Sequence, residues 1–293
     1  MDHITVCICT FQRRELLRGL LERLARQQTE NRFTYSVVVA DNDAGESARD
    51  VAEAFAVGTL SVRYCVEPRQ NIALIRNKAV ENAAGDYIAF IDDDEQPAPD
   101  WLAQLVTAIG RHRADGVLGP VVPRFVEPPP GWITQGRILE RPSPPSGTRL
   151  HWKQTRTGNV LFRRSVFEGR RYRFDASYGA GGEDVELFRR MMTDGLVFVW
   201  SREAVVYELV PPERCRRSYL LRRALLRGRA PYNQGWSVAK SLVAVPLYAA
   251  ALPVLQLFGH HLFMRYLIRG GDHLGRILAA LGWNVLGPGY VSK

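Results

Sequence analysis

Ile88-Ala89-Phe90-Ile91-Asp92-Asp93-Asp94-Glu95 is an apolar run that stops in four acids. A short run of β-branched and aromatic residues reads as a buried strand. In an open α/β sheet, ligands sit beyond the carboxyl ends of the strands. The four acids therefore belong at the mouth of a cleft. Adjacent carboxylates repel and raise one another's pKa, and a cation between them relieves the repulsion. A hard ion such as Mg²⁺ takes one or two carboxylates and completes its shell with substrate phosphate oxygens. The competing reading is a solvated acidic turn capping a helix that begins near Pro97.

Upstream, Ile4-Thr5-Val6-Cys7-Ile8-Cys9 reads as a first strand ending at Thr10. Leu16, Leu17, Leu20, Leu21 and Leu24 then recur at helical spacing. Val37-Val38-Val39-Ala40 is a second strand closed by Asp41-Asn42-Asp43, followed by a helix from Ser47 to Phe55. Val62 to Val66 is a third strand, and Asn71 is placed to cap a helix from Ile72 to about Ala84, with Gly85 as its stop. Strand and helix alternate up to Asp92, the pattern of a mostly parallel sheet with helices on both faces. Two strands ending in aspartates on one edge point to a nucleotide or phosphate cleft. No GxGxxG or GxxxxGK[ST] turn follows the first strand, which argues against a dinucleotide enzyme or a P-loop NTPase.

Downstream, Pro97 to about Arg111 reads as a helix, and Val117 to Val122 as a strand. From Glu127 to Thr148 the chain is proline-rich around Trp132 and Ile138-Leu139. So long a connection is either a substrate-side lid or a surface excursion. Thr157 to Phe162 returns to strand. Gly179-Ala180-Gly181-Gly182 leads into Glu183-Asp184-Val185-Glu186-Leu187, the start of a helix that runs to Gly195. Helix starts favour acids, so Glu183 and Asp184 are either dipole-complementing residues or a general base beside a glycine loop. Val197 to Trp200 and Ala204 to Tyr207 are the last strands, with Glu208 closing the second.

The chain has 293 residues, of which 46% are apolar and 24% charged, enough for a packed core. The formal net charge of +9 suggests an anionic partner: nucleic acid, phosphorylated substrate or membrane surface. Cys7, Cys9, Cys65 and Cys215 form no CxxC pair, so reduced thiols are expected, with no zinc site and no disulfide frame. The chain enters a strand at once, and no secretory signal is expected.

Five ordered segments together resemble an inverting glycosyltransferase of family 2 with the GT-A fold: Val6 to Phe11, Val39 to Asn42, Asn71 to Asn77, Phe90 to Asp94, and Gly181 to Asp184. They span about the first two-thirds of the chain. The run Ala204 to Arg214 is similar to that of bacterial exopolysaccharide glucosyltransferases of the succinoglycan type. The resemblance implies a Rossmann-like mixed sheet, a UDP-sugar donor, and Mg²⁺ or Mn²⁺ as cofactor. It assigns Thr10, Phe11, Arg13, Asp41, Asn71, Arg76, Asp92 and Asp93 to the nucleotide sugar, with Thr10 and Asp41 on uracil and ribose and Arg76 near the diphosphate. Asp94 falls on the metal. Asp184 becomes the base and Glu183 its supporting neighbour. Where many relatives have a histidine near the metal, this chain has Glu208, either a metal ligand or a structural acid.

Arg214, Arg216, Arg217, Arg222, Arg223, Arg227 and Arg229 crowd around leucines, which suits anionic lipid headgroups, a solvated helix or a phosphate-facing wall. Ser241 to Phe258 carries no charge but is broken by Pro246 and Pro253, and a second apolar piece runs from Ile277 to Leu286. A span, a re-entrant or interfacial pair and a buried core hairpin all remain open. The expected organisation is a catalytic domain over 1–210 (nucleotide half 1–122, acceptor half 123–210) and a membrane-associating helical region over 211–293. The expected enzyme is a metal-dependent inverting hexosyltransferase. It would work at the cytoplasmic face of the bacterial inner membrane on a saccharide or lipid-linked saccharide acceptor. Two alternatives are a sugar-phosphate nucleotidyltransferase, for which Thr10-Phe11-Gln12-Arg13 lacks the glycine-rich loop, and a non-catalytic membrane adaptor, which leaves the aspartates unexplained. No recognised motif supports nucleic-acid binding.

Overall fold

β1 (Asp2–Thr10) lies inside the sheet because its apolar residues alternate toward two buried faces. Ile4, Val6 and Ile8 join one core and Cys7 the other, the period of two that a strand imposes. The computed structural model describes residues 1–58, 60–178, 181–228 and 236–283. Gly179 and Ala180 of the expected glycine run, Arg229 and the 284–286 end of the second apolar piece lie outside the described residues.

The elements follow as α1 (Arg14–Leu24), β2 (Phe33–Asp41), α2 (Arg49–Ala56), β3 (Val62–Val66), α3 (Ile72–Asn82), β4 (Tyr87–Phe90), β5 (Glu95–Pro97), α4 (Trp101–His112), β6 (Gly116–Leu118) and β7 (Val121–Phe125). Next come α5 (Gly131–Gln135), β8 (Val160–Arg163), α6 (Glu183–Thr193), β9 (Phe198–Trp200), β10 (Val206–Val210), α7 (Arg217–Gly228), α8 (Trp236–Phe258) and α9 (His260–Ala280). The described residues divide into two compact units, 1–122 with 141–208, and 123–140 with 209–293. Residues 123–140 group with the C-terminal helices.

In the first unit a seven-stranded sheet runs β3-β2-β1-β4-β8-β6-β9. The pairs β1–β2, β1–β4, β2–β3 and β6–β9 are parallel, while β8 runs antiparallel to β4 and β6. This is the mixed, mostly parallel α/β sheet expected. Leucines of α1, Val51 of α2 and Trp101 of α4 pack on one face. Ala79 of α3 and Leu187, Phe188 and Met191 of α6 pack on the other. The strand order reverses at β1, which opens a crevice at the carboxyl ends of β1 and β4. Thr10 is in register with Asp41 there, and the acids follow β4 at the same edge. All four cysteines are free, and burial raises each thiol above its usual pKa.

A short sheet orders β5, β10 and β7. Glu208 does not close its strand as expected. It lies within β10, directly opposite Glu95 of β5. Asn159, fully buried just before β8, accepts from the Trp101 indole N–H at 2.7 Å and donates to the carbonyls of Pro120 at 2.9 Å and Ala204 at 2.7 Å. Asn159→Ala should destabilise the fold by about 1–3 kcal/mol for the stranded indole N–H alone. A urea unfolding midpoint equal to that of the parent would show the bonds to be dispensable.

The second unit is helical. Ile133, Val210, Leu220, Ala224, Met264 and Ile268 form its core. α8 bears Pro246 and Pro253 and is apolar all round. Only 6% of its most apolar window is buried. Leu242, Val243, Leu247, Val254 and Leu257 are exposed, so the buried-hairpin option fails.

Candidate active site

The acids after β4 differ sharply in their surroundings. Asp93 is buried, accepting from the Thr10 hydroxyl at 2.8 Å and from Arg13 Nη1 at 2.9 Å. Burial foremost pushes its carboxyl up to about 6. Thr10, expected with Asp41 on the uracil and ribose, gives its hydroxyl to Asp93. Arg13 Nη1 also lies 3.6 Å from Asp94 Oδ2. Phe11 is half-buried in the turn after β1.

Asp92 is the most exposed of the four acids, its side chain keeping 51% of its accessible surface. Its carboxyl is raised, chiefly by desolvation, with Arg76 opposing and Asp94 and Glu208 adding to the rise. Glu95, 3% exposed, accepts from the Asp92 N–H at 3.1 Å and is raised well above the carboxylate range by burial and then by Asp92. A Cβ on Gly158 would come within 2.8 Å of Glu95 Oε1 and 3.1 Å of Asp92 Oδ2. Only glycine lets that backbone run so close to both carboxylates.

This oxygen-only donor set fits a hard divalent cation. Asp94, Asp92 and Glu208 are near enough to raise Asp92 or Glu95 through their charges. Among the described residues, however, no three His, Cys, Asp or Glu side chains are grouped to hold an ion by themselves.

Arg76, on α3 and 8% exposed, joins the two ends of the site. Nη1 donates to Glu183 Oε1, and Nη2 lies 3.9 Å from Asp92 Oδ1. Its own pKa is raised: burial pulls it down, but Glu183, Asp184 and Asp92 outweigh that. Glu183 is also raised, to about 7, by burial first and with Asp184 adding to it, against the pull of Arg76. Nearly complete burial of Glu183 outweighs Arg76, whose charge is also felt by Asp184 and Asp92. Asp184 is half-buried at the start of α6 and accepts its neighbour Val185's N–H at 2.7 Å. Gly182 precedes the helix at φ 95°, in the left-handed region.

Asp41 and Asn71 are hydrogen-bonded to neighbouring groups. Asp41, fully buried, accepts from the backbone of Asp43 at 3.0 Å and of Ala48 at 2.9 Å, and from the Tyr64 hydroxyl at 2.9 Å. Asn71 caps α3, accepting from the N–H groups of Ala73 and Leu74. Two residues escaped the sequence reading. Arg141 Nη2 lies 3.6 Å from Glu208 Oε2. Arg156 feels the charges of Arg141, Glu95, Asp184 and Glu208, and burial first lowers it to about 10. Buried Arg156 Nε, Thr157 Oγ1 and Glu183 Oε2 have no hydrogen-bond partner among the described residues, the mark of a place built to meet a polar ligand.

Raising an acid's pKa on folding means the native state holds a proton that the unfolded chain releases. The stability linked to Glu183 is fully present below its ordinary 4.5 and is lost as pH rises through about 7. Glu183→Gln should flatten this fall. A thermal-unfolding series from pH 4.5 to 8 with the same slope in both proteins would refute it.

The model of Glycosyl transferase family 2 matches residues 5–171. The chain is 32% identical to the succinoglycan biosynthesis protein ExoM of Rhizobium meliloti (strain 1021), across 96% of this chain and 93% of that protein. It is 29% identical to the glucosyl-dolichyl phosphate glucuronosyltransferase of Haloferax volcanii, over 56% of this chain and 53% of that one. Among solved structures, the mannosyltransferase PcManGT of Pyrobaculum calidifontis, in complex with GDP-Man and Mn²⁺, superposes with TM-score 0.63 and 19% identity, covering 98% of this chain and 88% of that one. S. aureus TarS 1–349 in complex with UDP-GlcNAc gives 0.58 and 14%, covering 97% and 93%.

Proposed function

The chain belongs to glycosyltransferase family 2, and from that we propose that it moves a hexosyl group from a UDP-sugar, with inversion, to a saccharide acceptor in exopolysaccharide or cell-surface glycan assembly. One observation carries the reading: Arg76 ties the acids after β4 to the acids that open α6. A charged leaving group and a deprotonated acceptor hydroxyl are thereby served from one cleft. The relative named for succinoglycan biosynthesis supports the glycan class, and the TarS complex with UDP-GlcNAc supports the donor class.

Asp184 takes the proton of the acceptor hydroxyl as it attacks the anomeric carbon. Glu183, anchored on Arg76, holds the start of α6 in place. Attack comes from the face opposite the departing UDP, so a single displacement turns an α-linked donor into a β-glycoside. Mg²⁺ or Mn²⁺ would be held by Asp94 and Asp92, with Glu208 beside them, and when bound it neutralises charge on the diphosphate. Thr10 and Arg13 fix Asp93, which sets the turn that presents Asp92 and Asp94 to the cleft. Asp41 and Asn71 shape the loops on the nucleotide side.

The acceptor is a saccharide on a lipid carrier, and the enzyme works at the cytoplasmic face of the inner membrane. The exposed apolar face of α8 supports this seat. The four free thiols suit a reducing compartment.

A panel of UDP-sugars, assayed for UDP release with and without Mn²⁺, tests the reading. Pyrophosphate release from UTP and a sugar phosphate would replace it with nucleotidyl transfer. Asp94→Ala should lose the metal-dependent part of donor affinity. A calorimetric titration with UDP and Mn²⁺ matching that of the parent would remove Asp94 from the metal site.

A further inference from the structure

The C-terminal unit has a recess of its own, of about 480 Å³, which none of the roles above uses. Pro128, Pro129, Pro130 and Trp132 give it an apolar, rigid lining, and Arg216 and Arg217 give it charge. Proline rings carry no N–H, so that stretch offers shape and apolar surface rather than donors. Both arginines are exposed, and among the described residues neither is engaged in an ion pair. Glu127 is the one acid in the lining, so positive charge prevails there.

Both arginines line the recess, so an anion seated there would meet positive charge. Guanidinium forks match phosphate oxygens bidentately. An indole ring is suited to the boundary between headgroup and hydrocarbon, with one end apolar and the other wet. The same unit carries α8, with its exposed apolar face, and α7, with further arginines at 222, 223 and 227. An apolar wall beside paired cations, in the unit that presents an unburied apolar helix, fits an amphiphile with an anionic head.

We propose that this recess binds the phosphate headgroup of an anionic membrane lipid. The proposal rests on the membrane seating argued above, and it is independent of which sugar is transferred.

The test uses the full chain, with vesicles of neutral and of anionic phospholipid. Arg216→Ala/Arg217→Ala should bind anionic vesicles more than about 30-fold less tightly, exceeding the roughly 30-fold loss that diffuse attraction of about 1 kcal/mol per arginine allows Arg222→Ala/Arg223→Ala, and should bind neutral vesicles as before. A nitroxide on the lipid headgroup should quench the fluorescence difference between the parent and Trp132→Phe. That quenching should vanish in Arg216→Ala/Arg217→Ala and survive in Arg222→Ala/Arg223→Ala, which removes as much charge from α7 outside the recess.

Equal losses in the two double variants would mean diffuse attraction and overturn the site. So would Trp132 emission that answers to inorganic phosphate but not to vesicles, which would mark a soluble anion instead. Transfer to a lipid-free saccharide should be unchanged in Arg216→Ala/Arg217→Ala. Absence of transfer in the parent with every donor would sink the enzymatic reading and leave the lipid measurement standing.

Discussion

Asp184→Asn should lower sugar transfer by roughly 10²–10⁴-fold while leaving UDP affinity within about twofold of the parent's, because a positioned base contributes on that scale to the chemical step alone. The asparagine keeps the size of the side chain and can still accept the Val185 N–H. It has no lone pair basic enough to take a hydroxyl proton. Asp184 is set apart from Glu183 by its surroundings. Glu183 is 3% exposed and ion-paired, whereas Asp184 is half-buried and open on one side. Of the two, Asp184 has the greater solvent access. Single-turnover transfer with a saturating donor is the decisive measurement. A rate within fivefold of the parent's would hand the proton to another group.

Arg76→Ala should cost about 3–5 kcal/mol of stability, the usual result of stripping the partner from a buried ion pair. Glu183 would be left in the interior without its cation, and Asp92 without its nearest positive charge. Neutralising the stranded acid should recover part of the loss, so Arg76→Ala/Glu183→Gln is expected to be more stable than Arg76→Ala. Urea denaturation of the three proteins checks both statements. A loss below 1 kcal/mol in the single variant would mean that the pair is not what holds α6 to α3. Donor binding should weaken in both variants, since Asp92 then repels Asp94 without the charge of Arg76 to oppose it.

Much of the catalytic unit is legible in the chain because its signals are local. The apolar runs of β1, β2 and β4 stop at the cleft edge, and Asn71 caps the next helix from its own position. What escaped depends on partners far along the chain. β8 reads as a strand, but periodicity carries no direction, and its antiparallel pairing with β4 and β6 appears only in three dimensions. β5 has three residues, too few for any pattern. Its pairing is what draws β10 past Tyr207 and sets Glu208 across from Glu95. A charged residue in sequence looks like the end of a strand, and here it is an interior position. Arg156 is one arginine among many in a basic chain, and only folding brings it within reach of Asp184 and Glu208. Asp41 shows the converse. It sits at the end of β2, in register with Thr10, yet its oxygens are occupied by Asp43, Ala48 and Tyr64.

The four free cysteines have a practical consequence. Burial raises each thiol further above neutral pH, and it is the thiolate that attacks an alkylating reagent. A single cysteine introduced on an exposed helix, such as at Arg222, would therefore take up a maleimide dye ahead of the native four. Distances to a labelled nucleotide or a labelled bilayer could then be measured without first building a cysteine-free background.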